Sequence, residues 1–219
     1  MENVKIATDS VAELSLAQFS ERLASTEPVP GGGAASAVAA SIGASLISMV
    51  AGLSTGKPKY ADYEATLVRC LSVGKELAAE FLRLADRDAE AYAGVGAAYK
   101  LPKSTDEEKA ARTAAIQEAL KAAAQVPLSA IEHLVGVVEA LPVVLEHGNR
   151  NLVSDVGVAA DFAQAALRCA WLNVEVNLAS LKDEEYKAQV RKTMEEQISA
   201  AEKVTEEVWT GTLEVIMPE

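Results

Sequence analysis

Residues 28–56 read PVPGGGAASAVAASIGASLISMVAGLSTG. No charged side chain interrupts them, and the stretch is long enough to cross a bilayer. Residues 34–53 are nevertheless mostly Ala, Ser and Gly. Their large apolar members, Val38, Ile42, Leu46, Met49, Val50 and Leu53, recur every three or four positions. A membrane helix would be apolar all round. A single stripe with small residues opposite it predicts a central buried helix instead.

The flanking sequence is helical too. Upstream, Ser15-Leu16-Ala17-Gln18 has capping-box form and opens a short helix carrying Leu16, Phe19 and Leu23, which the proline-glycine run at 28–33 ends. Gly56, Pro58 and the nearby lysines terminate the 34–53 helix. A long helix follows, with Tyr63, Leu67, Cys70, Gly74, Leu77, Phe81, Leu84, Asp88, Tyr92, Val95 and Tyr99 spaced four and three apart. Residues 100–103 form a linker, and Thr105 to Glu108 form a second capping box. Pro127 and Pro142 are expected to bend or break the helix after it. A turn is expected at 148–151. Ser154 is expected to cap a helix with the stripe Val158, Phe162, Ala165, Cys169, Leu172 and Val176. Asp183 opens a last charged helix to about residue 214. Neither a repeat nor a domain linker intervenes. The fold class is therefore all-α: a single multihelical domain over residues 1–219 with long antiparallel helices.

Composition narrows the function. Half of the 219 residues are hydrophobic, enough for a chain this size to bury about 70% of its unfolded surface. Twenty basic against 32 acidic residues give a net charge of −12. That argues against nucleic-acid binding and against docking on an anionic membrane. Two cysteines, Cys70 and Cys169, make no disulfide framework and read as buried free thiols. The N-terminal MENVKIATDSVAEL lacks the apolar core of a signal peptide, so a cytoplasmic location is expected.

Familiar motifs fail on inspection. Gly52-Leu53-Ser54-Thr55-Gly56-Lys57-Pro58 is one residue short of a phosphate loop, and Pro58 stands where a magnesium-binding hydroxyl belongs. His133 and His147 are too far apart for a helical ligand pair, so no metal site is expected. Gly31, Gly32 and Gly33 admit two readings. They are a tight turn that lets a small-residue helix pack, or a set of free N–H groups offered to an anion or polar ring. Asp88 is the most informative side chain. It lies in phase with Phe81, Leu84 and Tyr92, whereas Asp86 and Glu90 point to the other side. A carboxylate on an apolar stripe is either half of a buried ion pair or an acid–base group whose pKa burial raises. Asp155 is in phase with Val158 and Phe162, and serves either the helix dipole or a site. Lys100, Lys103, Lys109 and Arg112 form a basic group that is either solvated or able to hold a carboxylate-bearing ligand.

Taken together, these motifs resemble the C-terminal family of formiminotransferase-cyclodeaminase, across nearly the whole chain. The marks are Pro28-Val29-Pro30-Gly31-Gly32-Gly33; Ser48-Met49-Val50 with Gly56-Lys57 and Tyr60; Asp86-Arg87-Asp88-Ala89-Glu90-Ala91-Tyr92; and Leu101-Pro102-Lys103. Further along come Val126-Pro127-Leu128, Gly148-Asn149, Ser154-Asp155 with Gly157-Val158-Ala159-Ala160, and Asn173-Val174 with Asn177. The resemblance implies an all-helical homodimer acting on a folate, with no metal or redox cofactor. It implies Asp88 as the catalytic aspartate, in agreement with the stripe. The implied reaction is hydrolysis of 5,10-methenyltetrahydrofolate to 10-formyltetrahydrofolate. The close alternative is formimidoyltetrahydrofolate cyclodeamination, and an alternative from another class is a non-catalytic folate-binding or scaffold protein. The implied substrate contacts are Gly31, Gly32 and Gly33 to the pterin, and Lys57, Lys103 and Arg112 to the glutamate tail. Asn149 and Asp155 are implied on the pterin or behind Asp88, and Tyr60 is counted with the substrate-binding positions.

Overall fold

The computed structural model describes residues 10–218. The first nine residues, on which the absence of a leader was read, lie outside it. The described residues form six α-helices and no strand: α1 Leu16–Leu23, α2 Gly32–Gly52, α3 Glu64–Tyr99, α4 Asp106–His147, α5 Val153–Ala179 and α6 Glu184–Ile216. The all-α class is as expected. Both capping boxes form. Ser15 and Gln18 bond reciprocally at the start of α1, and Thr105 and Glu108 do so at α4. Asp183 caps α6 by accepting from the Tyr186 N–H. Of the apolar residues of α1, Phe19 is buried while Leu16 and Leu23 stay exposed.

The central helix is α2, packed between α3 and α5. It starts at Gly32, two residues before the expected 34, with Gly31 as its N-cap. The face it buries departs from the sequence reading: of the expected stripe Val50 is buried and Val38 and Leu46 are partly buried, while its other members face outward. Ala34, Ala37, Ala40, Ala44, Ile47 and Val50 are buried, while Ile42, Met49 and Leu53 are exposed. The small face wins because it lets neighbouring backbones come close. A Cβ on Gly74 of α3 would lie 2.7 Å from the Ala44 carbonyl oxygen, and one on Gly43 would lie 3.3 Å from that of Ala159 on α5. At this range the buried serines of α2 reach neighbouring backbones. Ser41 and Ser48 donate to Ala78 O and Leu71 O of α3 at 2.9 Å each, and Ser36 to Ala166 O of α5 at 3.1 Å. Each such bond contributes about 1 kcal/mol net. By length and composition α2 and α4 are each long and apolar enough to cross a membrane, and 61% of the most apolar window of α2 is buried within the bundle.

Helix α5 departs in the same direction. The expected stripe faces outward, with Leu172 64% and Val176 71% exposed, and Cys169 exposed rather than buried. Val156, Ala159, Ala163, Leu167, Ala170 and Val174 are the buried face. Ser154 is the second residue of α5 and does not cap it; Leu152 takes the N-cap place. Neither Pro127 nor Pro142 breaks α4, which runs unbroken through both. An interior proline costs about 3 kcal/mol. A helix that buries Leu120, Leu128, Ile131, Leu134, Leu141 and Val144 can absorb that cost. His133 meets the Phe81 ring edge-on, and His147 stacks on Tyr63 at 3.8 Å.

Candidate active site

The site is built where α2 begins. Helix α3 carries Asp88 across the first turn of α2, where its carboxylate lies against the Ala34 N–H. Free N–H groups at a helix N-terminus attract negative charge. Here the protein's own carboxylate fills that place, which explains the glycine at 33; a Cβ on Gly31 or Gly32 would make only ordinary contacts. A Cβ on Gly33 would overlap the Asp88 carboxylate. Gly33 is thus the gap through which Asp88 reaches the helix end. Burial pushes the Asp88 carboxyl above the usual aspartate range, opposed by the Ala34 N–H. Among the described residues no basic side chain pairs with it.

Asp86, two residues away, has a different task. Its carboxylate accepts the Ser10 hydroxyl at 2.6 Å and the Val11 N–H at 2.7 Å, tying the N-terminal segment to α3. The two acids of the Asp-x-Asp pair therefore divide into a tether and a site group.

Asp88 faces a cavity of about 410 Å³, within the range of small-molecule sites. Its walls come from four helices and from the chain entering α2. Pro28, Val29 and the three glycines form one edge; Tyr92, Val95 and Tyr99 of α3 another; Leu120 and Ala123 of α4 a third; Asn173, Val176 and Asn177 of α5 the last. Asn173 donates its amide to the Cys169 carbonyl at 2.8 Å. Its amide oxygen faces Gly32. Beneath Asp88 a second space of about 10 Å³, lined also by Ser36 and Asn173, is close to the size of one water. Aromatic and apolar walls with one desolvated carboxylate and one amide oxygen suit a flat, cationic heterocycle. They also suit proton transfer at an atom held near the carboxylate.

Of the expected substrate contacts, Gly31, Gly32, Gly33 and Asp88 come together. Arg112 lies near the α3 end of the cavity, but its guanidinium donates twice to Tyr99 O, at 3.1 and 3.2 Å, and sits over the Tyr99 ring. It braces a wall residue rather than reaching into the space. Lys103 is exposed in the α3–α4 connection. Lys57, Tyr60, Asn149 and Asp155 are at the other end of α2, about 30 Å away along a helix of this length. There Asn149 N donates to the Ser54 hydroxyl at 2.8 Å, and the Tyr60 hydroxyl meets Asn149 Oδ1 at 3.3 Å. A single chain does not bring these four to Asp88. Tyr92, Tyr99 and Asn173 were missed as site residues. The four-and-three spacing of 88, 92, 95 and 99 on one face was the available signal for the tyrosines.

A sequence-family profile described as formiminotransferase-cyclodeaminase matches residues 15–196. The chain belongs to this family. It is 43% identical over 191 residues, 87% of its own length and 92% of the relative's, to the methenyltetrahydrofolate cyclohydrolase of Methylorubrum extorquens. It is 34% identical over 182 residues to the formimidoyltransferase-cyclodeaminase of Rattus norvegicus, covering 83% of this chain but only 34% of that longer protein. The crystal structure of formiminotetrahydrofolate cyclodeaminase from Thermotoga maritima superposes with a TM-score of 0.78 at 33% identity, covering 94% of this chain and 96% of that one. The named members of the family are enzymes.

Proposed function

We propose that this chain hydrolyses 5,10-methenyltetrahydrofolate to 10-formyltetrahydrofolate, with Asp88 moving the protons. The observation that carries the reading is the desolvated Asp88 carboxylate at the wall of the four-helix cavity, in a chain 43% identical to a cyclohydrolase that it matches nearly end to end. The substrate's one-carbon bridge is a cation between two ring nitrogens. A carboxylate in a water-poor site attracts it and orients it. Water attacks the bridge carbon, forming a C–O bond, while Asp88 accepts a water proton. The tetrahedral adduct collapses: the C–N5 bond breaks, N5 takes the proton from Asp88, and the remaining hydroxyl proton leaves as the formyl C=O forms. One proton is released overall. No step calls for a metal or redox cofactor. Tyr92 and Tyr99 offer faces for the pterin and aminobenzoyl rings, and Gly31 and Gly32 offer backbone groups to the pterin edge.

The Thermotoga neighbour favours a second reading, cyclodeamination of 5-formimidoyltetrahydrofolate. There N10 attacks the carbon of the protonated formimidoyl group, Asp88 carries the N10 proton to the amine of the adduct, and ammonia leaves as the methenyl cation forms. The same carboxylate serves both reactions. The working unit in either reading is a homodimer, supported by the large apolar residues that α2 and α5 leave exposed, Ile42, Met49, Leu172 and Val176.

The test is a near-ultraviolet assay with 5,10-methenyltetrahydrofolate at a pH where spontaneous hydrolysis is slow. Protein-dependent loss of the methenyl band supports hydrolysis. If there is none, while formimidoyl substrate yields the methenyl band and ammonia, the second reading replaces it. Folate binding without either turnover would leave a non-catalytic binding protein.

A further inference from the structure

The two interior prolines of α4 sit differently. Pro142 is exposed and lines neither space at Asp88. Pro127 is buried and lines the small space beneath Asp88. A proline has no N–H, so Pro127 cannot bond the carbonyl four residues earlier, that of Ala123. Its ring also crowds that carbonyl out of the helical ladder. Ala123 is only 7% exposed and lines the larger cavity. Helical carbonyls point toward the C-terminal end of their helix, so the Ala123 oxygen lies between Ala123 and Pro127. These residues are one turn apart on one face. The two spaces they line share Gly33, Asp88 and Asn173. The freed oxygen therefore belongs to the wall where the two spaces meet at Asp88.

Buried carbonyls are nearly always bonded. The donors around this one are committed elsewhere. Lys121 donates to Asp183 Oδ2 at 2.8 Å and Gln125 to the Tyr186 hydroxyl at 2.9 Å, both at the start of α6. The cavity amides bond along their own helix, Asn173 Nδ2 to Cys169 O at 2.8 Å and Asn177 Nδ2 to Asn173 O at 2.9 Å. Ionised Asp88 is an acceptor only. The wall thus presents two acceptors, a carboxylate and a backbone carbonyl, and what suits them is a molecule with two donors. Water is one, and the small space is close to its size.

We propose that the Ala123 carbonyl, kept free by Pro127, is the second acceptor for the water that attacks the bridge carbon. The water gives one hydrogen to Asp88 and the other to Ala123 O. With both hydrogens held, its lone pair is turned to the substrate. As the C–O bond forms, Asp88 takes the first proton and passes it to N5 when the C–N5 bond breaks. An amide carbonyl is too weak a base to take the second proton. It holds the hydroxyl of the adduct until that proton leaves for solvent and the formyl C=O forms. Pro127 acts through the carbonyl and is a positioning residue. The assignment rests on the hydrolysis reading.

The test compares two chains that differ at one backbone atom. Pro127→Ala restores the N–H, which closes the helical bond and withdraws the carbonyl. The α-hydroxy analogue of that alanine, inserted at 127 by stop-codon suppression, has an ester oxygen in place of the N–H and leaves the carbonyl free. Pro127→Ala is expected to lower kcat about 10-fold, the worth of one neutral hydrogen bond, with KM within about threefold. It should melt no lower than wild type, because an interior proline disfavours a helix. The ester form should return kcat to within about threefold of wild type. Pro142→Ala makes the same repair away from the site and should leave kcat unchanged. The proposal falls if Pro127→Ala keeps wild-type kcat, if its loss lies in KM, or if it melts lower or fails to fold. It falls as well if the ester form is as slow as Pro127→Ala, or if Pro142→Ala is equally slow, since the course of α4 would then matter rather than one carbonyl. A wild type that hydrolyses no methenyl substrate fails the hydrolysis reading and this proposal together. A wild type that hydrolyses it no faster than Pro127→Ala fails the proposal alone.

Discussion

The two ends of α2 do opposite things. At the N-terminal end the glycines leave an open cavity, and the nearest charged group, Asp88, is held desolvated against the Ala34 N–H. At the C-terminal end the polar groups close on one another. Ser54, fully buried, donates to Val50 O at 2.7 Å and accepts from Asn149 N, while Tyr60 and Asn149 meet beside the stacked Tyr63 and His147. One end keeps a group dissatisfied, and the other satisfies its groups. Buried polar groups that are paired stabilise the fold; a desolvated charge costs stability and is kept for chemistry.

The sharpest way to break this comparison is Asp88→Asn. Turnover of the methenyl substrate should fall about 10³-fold, the scale of a lost acid–base group, while the protein stays folded. The same variant should melt higher than wild type at neutral pH. The folded-state pKa of Asp88 is raised, so the stability this group contributes is full below the unfolded aspartate pKa and is lost as pH rises through the folded value. The gain in melting temperature should therefore grow with pH across that window and vanish in acid. A variant that loses turnover and stability together would make Asp88 structural.

Gly33→Ala is expected to come next. The added Cβ displaces the Asp88 carboxylate, and kcat should drop about 10²-fold, the cost of misplacing a reacting group by an ångström. Circular dichroism should show the helices retained. Third, the pH profile of wild-type kcat should have its acid limb above the usual aspartate range, because burial raises the group that must be ionised to accept the water proton. Asp88→Asn should abolish that limb.

The smallest effect on turnover is expected at the satisfied end. Ser54→Ala leaves Asn149 N without its acceptor and should cost about 1–3 kcal/mol in denaturant unfolding. The kcat should stay within threefold. A large loss of kcat with unchanged stability would show that the two ends are not divided in this way.

Much of the site was legible in the sequence because its decisive signal is periodic. Asp88 stands in register with Phe81 and Leu84, which are buried, and Asp86 does not. That alone separated the site acid from the acid that tethers Ser10 and Val11. Tyr92 and Tyr99 share the register, but periodicity tells which side a residue is on and not whether anything covers that side. The four residues at the far end of α2 were grouped with Asp88 through resemblance, which carries no distances.

By itself the sequence determined the class of fold, the helix starts set by capping boxes at Ser15 and Thr105, and the separate faces of two neighbouring aspartates. These depend on local bonding and helical phase, which a sequence contains. Only the tertiary structure decided which face of α2 and α5 lies inside. Large apolar side chains bury more area each, but a face of Ala, Ser and Gly lets three backbones approach, and its serine hydroxyls donate to the neighbours' carbonyls. That choice is made between helices, and it left Ile42, Met49 and Leu53 of α2 and Leu172 and Val176 of α5 pointing outward.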